Sequence, residues 1–174
     1  MFEIGEKVVY PHHGAGTIVK KEKRTILGEE REYLTIQILH NDMTVNVPTE
    51  NAEKVGLREV IDEETVELVL KALTGNGTVM PKNWNRRFKH NRDKMKTGDI
   101  FELAEVVRNL SLRDQEKGLS TGEKQMFVKA KKILASELMY AKQMDEDEAA
   151  AWLDEVLSGV SNGKKKAKVA AGAA

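Results

Sequence analysis

Residues 81–96 read PKNWNRRFKHNRDKMK and set Trp84, one of two tryptophans in the chain, among seven basic side chains and a single acid. The bases are Lys82, Arg86, Arg87, Lys89, Arg92, Lys94 and Lys96. Cations at this density suit a polyanion, because Lys and Arg neutralise phosphates and release counterions. A flat apolar ring beside them can enter a groove and unstack a base step, at a cost of a few kcal/mol that phosphate contacts from Arg86, Arg87 and Lys89 would offset. Five such contacts correspond to a slope of about −4.5 in log K against log salt. A structural alternative stands beside this. On a helix starting at Asn83, residues Trp84, Phe88, Asn91 and Met95 fall on one face, so Trp84 could equally be a core residue.

Other chemistry finds no carrier. His12 and His13 are adjacent, so on a strand they point to opposite sides, and no third metal ligand accompanies them. Neither GxGxxG nor GxxxxGK[ST] occurs. The consecutive acids at 145–148 suit a helix start and are not a catalytic pair. The chain has no cysteine, which excludes disulfides and Cys-ligated zinc and fits a reducing compartment. A protein without catalytic activity, metal or cofactor is expected. The first residues carry no apolar signal core, and no stretch approaches 18 apolar residues, so a cytoplasmic protein is expected.

The elements that must position the basic stretch divide into two kinds. The 174 residues carry 28 basic and 28 acidic side chains, a net charge of zero, but the distribution is uneven. Residues 1–54 hold seven bases and nine acids, while residues 82–96 hold seven bases and one acid, a local footprint of +6. Short apolar runs at Val8–Tyr10, Thr17–Ile26, Tyr33–Leu39 and Met43–Pro48, broken by Pro11–Gly16, Leu27–Gly28 and His40–Asp42, predict four strands. They predict a small antiparallel Tudor/SH3-like barrel over residues 1–54, with one edge strand left open. Such an edge binds proteins by adding a strand. From residue 60 the period becomes helical. Asp62, Asn83, Asp99 and Ser120 are candidate N-caps, the last in the capping box Ser120-Thr121-Gly122-Glu123. A final helix carries Trp152, Leu153, Val156 and Leu157, with Gly159 at its end. The fold class is therefore α+β: a barrel, then an all-α bundle over 60–159, then a disordered Lys/Ala tail over 160–174.

Four segments occur in one order: GEKVVYPHHGAG near the start, MTVNVP at 43–48, NWNRRFK at 83–89 and RDQEKGLSTGEKQM at 113–126. Together they closely resemble the bacterial CarD family of transcription regulators, over about residues 2–158. The resemblance implies an N-terminal Tudor-like domain, similar to the polymerase-interacting domain of the transcription-repair coupling factor, that docks on the RNA polymerase β subunit. It implies a helical domain that touches promoter DNA at the upstream edge of the transcription bubble. There the tryptophan of the NW motif, here Trp84, wedges into the minor groove and stabilises the open complex. Arg86, Lys89 and Lys124 match DNA contacts. Arg24 and the fourth strand, Thr44, Val45, Asn46 and Val47, match the polymerase side. Close relatives carry an arginine where this chain has Asn46, which keeps hydrogen bonding and loses the bidentate charge. The alternative reading is a scaffold whose basic helix meets an acidic protein partner and never DNA. A free-standing DNA-compacting protein is a third, disfavoured by the neutral total charge.

Overall fold

A computed structural model describes the backbone of residues 2–172 and the side chains of residues 2–159. Five strands come first: β1 (Lys7–Tyr10), β2 (Gly14–Ile26), β3 (Glu29–Ile38), β4 (Thr44–Pro48) and β5 (Arg58–Glu59). Five helices follow: α1 (Glu63–Thr74), α2 (Trp84–Lys96), α3 (Ile100–Glu116), α4 (Thr121–Ala141) and α5 (Glu146–Gly172).

The strands form one antiparallel sheet in the order β4-β3-β2-β1-β5. No pairing joins β4 to β5 among the described residues, so this is an open sheet where a barrel is expected. β5 is absent from the sequence expectation and carries the sheet past residue 54, to Glu59. It has two residues, too few for an alternating pattern, and is a strand only because Arg58 and Glu59 pair with Val9 and Val8. Alternation along β2 and β3 turns Ile18, Leu34, Ile36 and Ile38 to one side, where they bury against Val8, Val47, Ala52 and Leu57.

All four expected N-caps form. Asp62 accepts from the Thr65 amide at 2.8 Å, Asn83 from Arg86 at 3.1 Å, Asp99 from Phe101 at 2.7 Å and Ser120 from Glu123 at 3.3 Å. Each satisfies an amide that the helix itself leaves unpaired, worth about 1 kcal/mol. The helices close on a second core that includes Val69, Leu73, Val107, Leu110, Leu134, Leu138 and Leu153. α5 continues through Gly159, where an end is expected, and its backbone is helical to Gly172. Lys and Ala are strong helix formers, and one glycine costs only about 1 kcal/mol. The side chains of the Lys/Ala segment expected to be disordered, residues 160–174, lie outside the described residues.

Sheet and helices are joined directly. The Ala15 amide donates to Ser136 Oγ at 2.9 Å, and the Thr17 and Tyr140 hydroxyls meet at 2.9 Å. Pro11 lies against Gly56 and Gly98, both at positive φ (82° and 75°). A Cβ built on Gly98 would come within 2.7 Å of the Pro11 ring, so glycine is required there for the contact as well as for the backbone.

Candidate functional site

α2 begins at Trp84, directly after its cap, so the indole stands in the first turn with no preceding turn to cover it. It is 42% exposed. Phe88, one turn on, stacks against it with centroids 5.2 Å apart and planes 18° apart. The indole Nε1 donates to Ser120 Oγ at 2.8 Å, across to the start of α4. Trp84 is therefore held at the rim where α2 and α4 begin, outside the core that a four-residue spacing suggests.

The buried stripe of α2 is Arg87, Asn91 and Met95. This corrects the expectation for Arg87. Its residue is 3% exposed, and its guanidinium lies bidentate on Glu123, Nε to Oε2 at 2.9 Å and Nη2 to Oε1 at 3.1 Å. Nη1 donates to the Lys82 carbonyl at 3.1 Å. A cation spent on a buried carboxylate and a carbonyl cannot also meet a phosphate, so Arg87 fastens α2 to α4 instead. Burial pushes the Glu123 carboxyl up, but the hydrogen bonds and charge of Arg87 outweigh it and hold it below the ordinary glutamate value. Lys94 is likewise engaged with Glu105.

With Arg87 and Lys94 removed from the seven bases, five remain: Lys82, Arg86, Lys89, Arg92 and Lys96. All five are exposed and make no ion pair among the described residues. Arg86 and Lys89 are within five residues of the indole. Lys124 is exposed in the first turn of α4, two residues beyond Gly122, where a built Cβ would lie 3.4 Å from indole Cζ2. Trp84 and Arg86 thus stand in the first turn of α2 and Lys124 in the first turn of α4, two helix starts joined by the indole bond to Ser120, with Lys89 in the second turn of α2. Phe88, Ser120 and Glu123 fix the indole there; the sequence marks Phe88 as its neighbour on the helix face and Ser120 and Glu123 as a capping box, but does not mark the last two as its anchors. Their bonds to α2 span 36 residues and leave no local pattern.

The other expected surface is β4, an edge strand with only β3 beside it. Thr44 and Asn46 are exposed, Val45 is half-buried and Val47 is buried against the sheet core. Asn46 Oδ1 accepts from the Thr35 hydroxyl at 2.8 Å on the paired strand. No charged side chain guards β4, as edges usually require. Arg24 stands exposed near the far end of β2, bonded to Glu22.

His12 and His13 lie at the join of sheet and helices. His12 Nε2 is 2.9 Å from Lys129 Nζ, and the His13 carbonyl meets His40 Nε2 at 2.7 Å. No group of three or more potential metal ligands occurs among the described residues. Among them, too, no helix is long and apolar enough to cross a membrane.

Comparison with known proteins places both parts of the chain. Residues 2–61 match the family model described as "CarD-like/TRCF RID domain". Residues 68–154 match "CarD, C-terminal domain". A Bacillus subtilis (strain 168) protein named "Putative transcription factor YdeB" is 38% identical over 146 residues, covering 84% of this chain and 95% of that protein.

Proposed function

This chain belongs to the CarD family, and from that premise we propose that it is a transcription regulator acting at initiation. The sheet docks on the RNA polymerase β subunit through the open β4 edge (Thr44, Val45, Asn46 and the backbone at Val47) and through Arg24. The helical layer then presents Trp84, Arg86, Lys89 and Lys124 to promoter DNA at the upstream edge of the bubble. There the indole enters the minor groove and stabilises the open complex.

The observation that carries this reading is the exposure of Trp84 at the first turn of α2, on a helix whose exposed cations pair with no carboxylate among the described residues. A core tryptophan would be enclosed, and a solvated charged face would not hold a large ring at its edge. Docking on polymerase raises the local concentration of this end, so a few phosphate contacts suffice where the free chain would bind DNA weakly. The open state gains only if the indole fits opened DNA better than intact duplex, since equal affinity shifts nothing.

The test is open-complex lifetime on one promoter with purified polymerase, with the protein and with Trp84→Ala. A lifetime lengthened by the protein and returned to the polymerase-alone value by Trp84→Ala is expected. An unaltered lifetime with a folded variant removes the DNA role and leaves the scaffold reading.

A further inference from the structure

The Ser120 hydroxyl has more to do than an N-cap needs. A capping serine ordinarily accepts one amide, at the third residue of its helix. Ser120 Oγ accepts from the Glu123 amide at 3.3 Å and also from indole Nε1 of Trp84 at 2.8 Å, while its own proton goes to Glu123 Oε1 at 3.1 Å. Its donor and both acceptor positions are used. Glu123, 1% exposed, accepts in turn from Arg87, which lies one turn from Trp84 on the same helix. The result is a closed ring: Trp84 to Ser120, Ser120 to Glu123, Glu123 to Arg87, and Arg87 back to Trp84 through the α2 backbone.

A half-exposed tryptophan on a first turn would otherwise exchange rotamers freely. Here two contacts oppose that. The Nε1 bond fixes the rotation of the ring and Phe88 takes one of its faces, while Gly122 lies beside its Cζ2 edge. The acceptor itself cannot drift, because Glu123 pins it from two sides. We propose that Ser120 is a positioning residue for Trp84: its hydroxyl orients the indole before DNA arrives, so that the ring meets DNA as a fixed, one-faced platform backed by Phe88. This rests on the DNA role proposed above for Trp84. Preorganisation of this kind lowers the ordering cost at binding.

Ser120→Gly removes the indole acceptor at little cost to the cap, since glycine is nearly as good an N-cap as serine. Ser120→Thr keeps a hydroxyl. Both are made with and without Trp152→Phe, which leaves Trp84 as the sole tryptophan, excited at the red edge where tyrosine does not absorb. For Ser120→Gly, faster indole depolarisation and stronger acrylamide quenching are expected, with an unfolding midpoint near that of the parent. Open-complex lifetime should fall several-fold, and Ser120→Thr should restore both signals. Indole mobility unchanged in Ser120→Gly overturns the proposal. So does a lifetime that stays at the parent value in Ser120→Gly while Trp84→Ala shortens it, or a loss that Ser120→Thr does not restore. If Trp84→Ala itself leaves the lifetime unaltered, the DNA role fails, and the positioning proposal fails with it as a functional statement, whereas the mobility arm still reports whether Ser120 orients the ring.

Discussion

Arg58, in the last strand of the sheet, and Glu137, one turn from the C-terminal end of α4, meet through two hydrogen bonds of 2.7 Å. The same carboxylate accepts from the Ile61 amide at 2.9 Å, and Arg58 Nε donates to the Gly98 carbonyl at 2.7 Å. One salt bridge therefore ties the sheet, the linker into α1, the α2–α3 turn and α4. It fixes the offset between the β4 edge and the Trp84 end. The Ala15–Ser136 and Thr17–Tyr140 bonds support the same offset, so that in the function proposed above docking one surface would place the other.

Glu137 is 1% exposed, so removing it strands a guanidinium and an amide at a closed junction. Glu137→Ala should cost about 3 kcal/mol of unfolding free energy in a urea titration, toward the low end for a buried pair because Arg58 is partly hydrated. The double variant with Arg58→Ala should recover part of that loss. Additive losses would mean that the two side chains are not energetically coupled.

Arg86 and Arg87 are neighbours in sequence with opposite expected behaviour. Arg87→Ala leaves the buried Glu123 carboxylate with only the Ser120 hydroxyl and Arg113, 3.8 Å away, and should lower stability by about 3 kcal/mol, the low end for a broken buried pair. Arg86→Ala should leave the unfolding free energy within about 0.5 kcal/mol of the parent's, as for other exposed sites. On promoter DNA with polymerase present, Arg86→Ala should instead weaken the salt dependence by about 0.9 in the log–log slope, one phosphate contact. Parallel denaturation and salt titrations separate the two. An Arg86→Ala slope equal to the parent's would show that this arginine meets no phosphate.

Acid should loosen the junction through His12. Burial, then the charge of Lys129, with smaller effects from His13 and Lys96, pushes its pKa below the ordinary 6.5. The unfolded chain then binds the proton more readily than the folded one. The contribution to stability is complete above pH 6.5 and is lost as pH falls from there through the depressed folded value. Protonation also removes the Nε2 acceptor that faces Lys129 Nζ. His12→Asn tolerates the left-handed backbone at this position (φ 68°) and cannot titrate. Its unfolding midpoint should vary less between pH 7.5 and 5.5, roughly, than the parent's. Some slope should persist from His13, which burial and Lys129 shift in the same direction.

What sequence conveyed and what it hid differ in range. The caps at Asp62, Asn83, Asp99 and Ser120 were legible because a cap and its amide lie two or three residues apart. Strands β1 to β4 were legible from alternation and breakers. β5 was not, because its pairing with β1 reaches back about fifty residues and its own residues are charged. Arg87 read as one more cation in a cationic run. Its partner is 36 residues away, and only the spacing to Asn91 and Met95 hinted that it faced inward. Ser136 and Glu137 did leave a mark: two polar residues inside the apolar run ILASELM of α4, both 1% exposed in the fold. A buried polar pair on a core face calls for a partner from elsewhere, and here the partners are Ala15 and Arg58.

Arg24 offers the sharpest separation of docking from folding. Across the β2–β3 pair it stands directly opposite Arg31, so two cations face each other on the sheet. Like charges in that position destabilise a pair by a few tenths of a kcal/mol. Each arginine is bonded to a glutamate on its own strand, Glu22 and Glu29, which relieves the repulsion only in part. Arg24→Glu would put opposite charges across the strands but take the arginine from Glu22 and set a like charge beside it, so the two effects offset. The variant should leave the unfolding midpoint nearly unchanged, while affinity for RNA polymerase falls by about tenfold or more and the protein's effect on open-complex lifetime falls with it. A fold that holds and a function that drops would mark Arg24 as a residue kept for its partner. Undiminished polymerase affinity in Arg24→Glu would remove it from the docking surface and leave the β4 edge to carry the interaction.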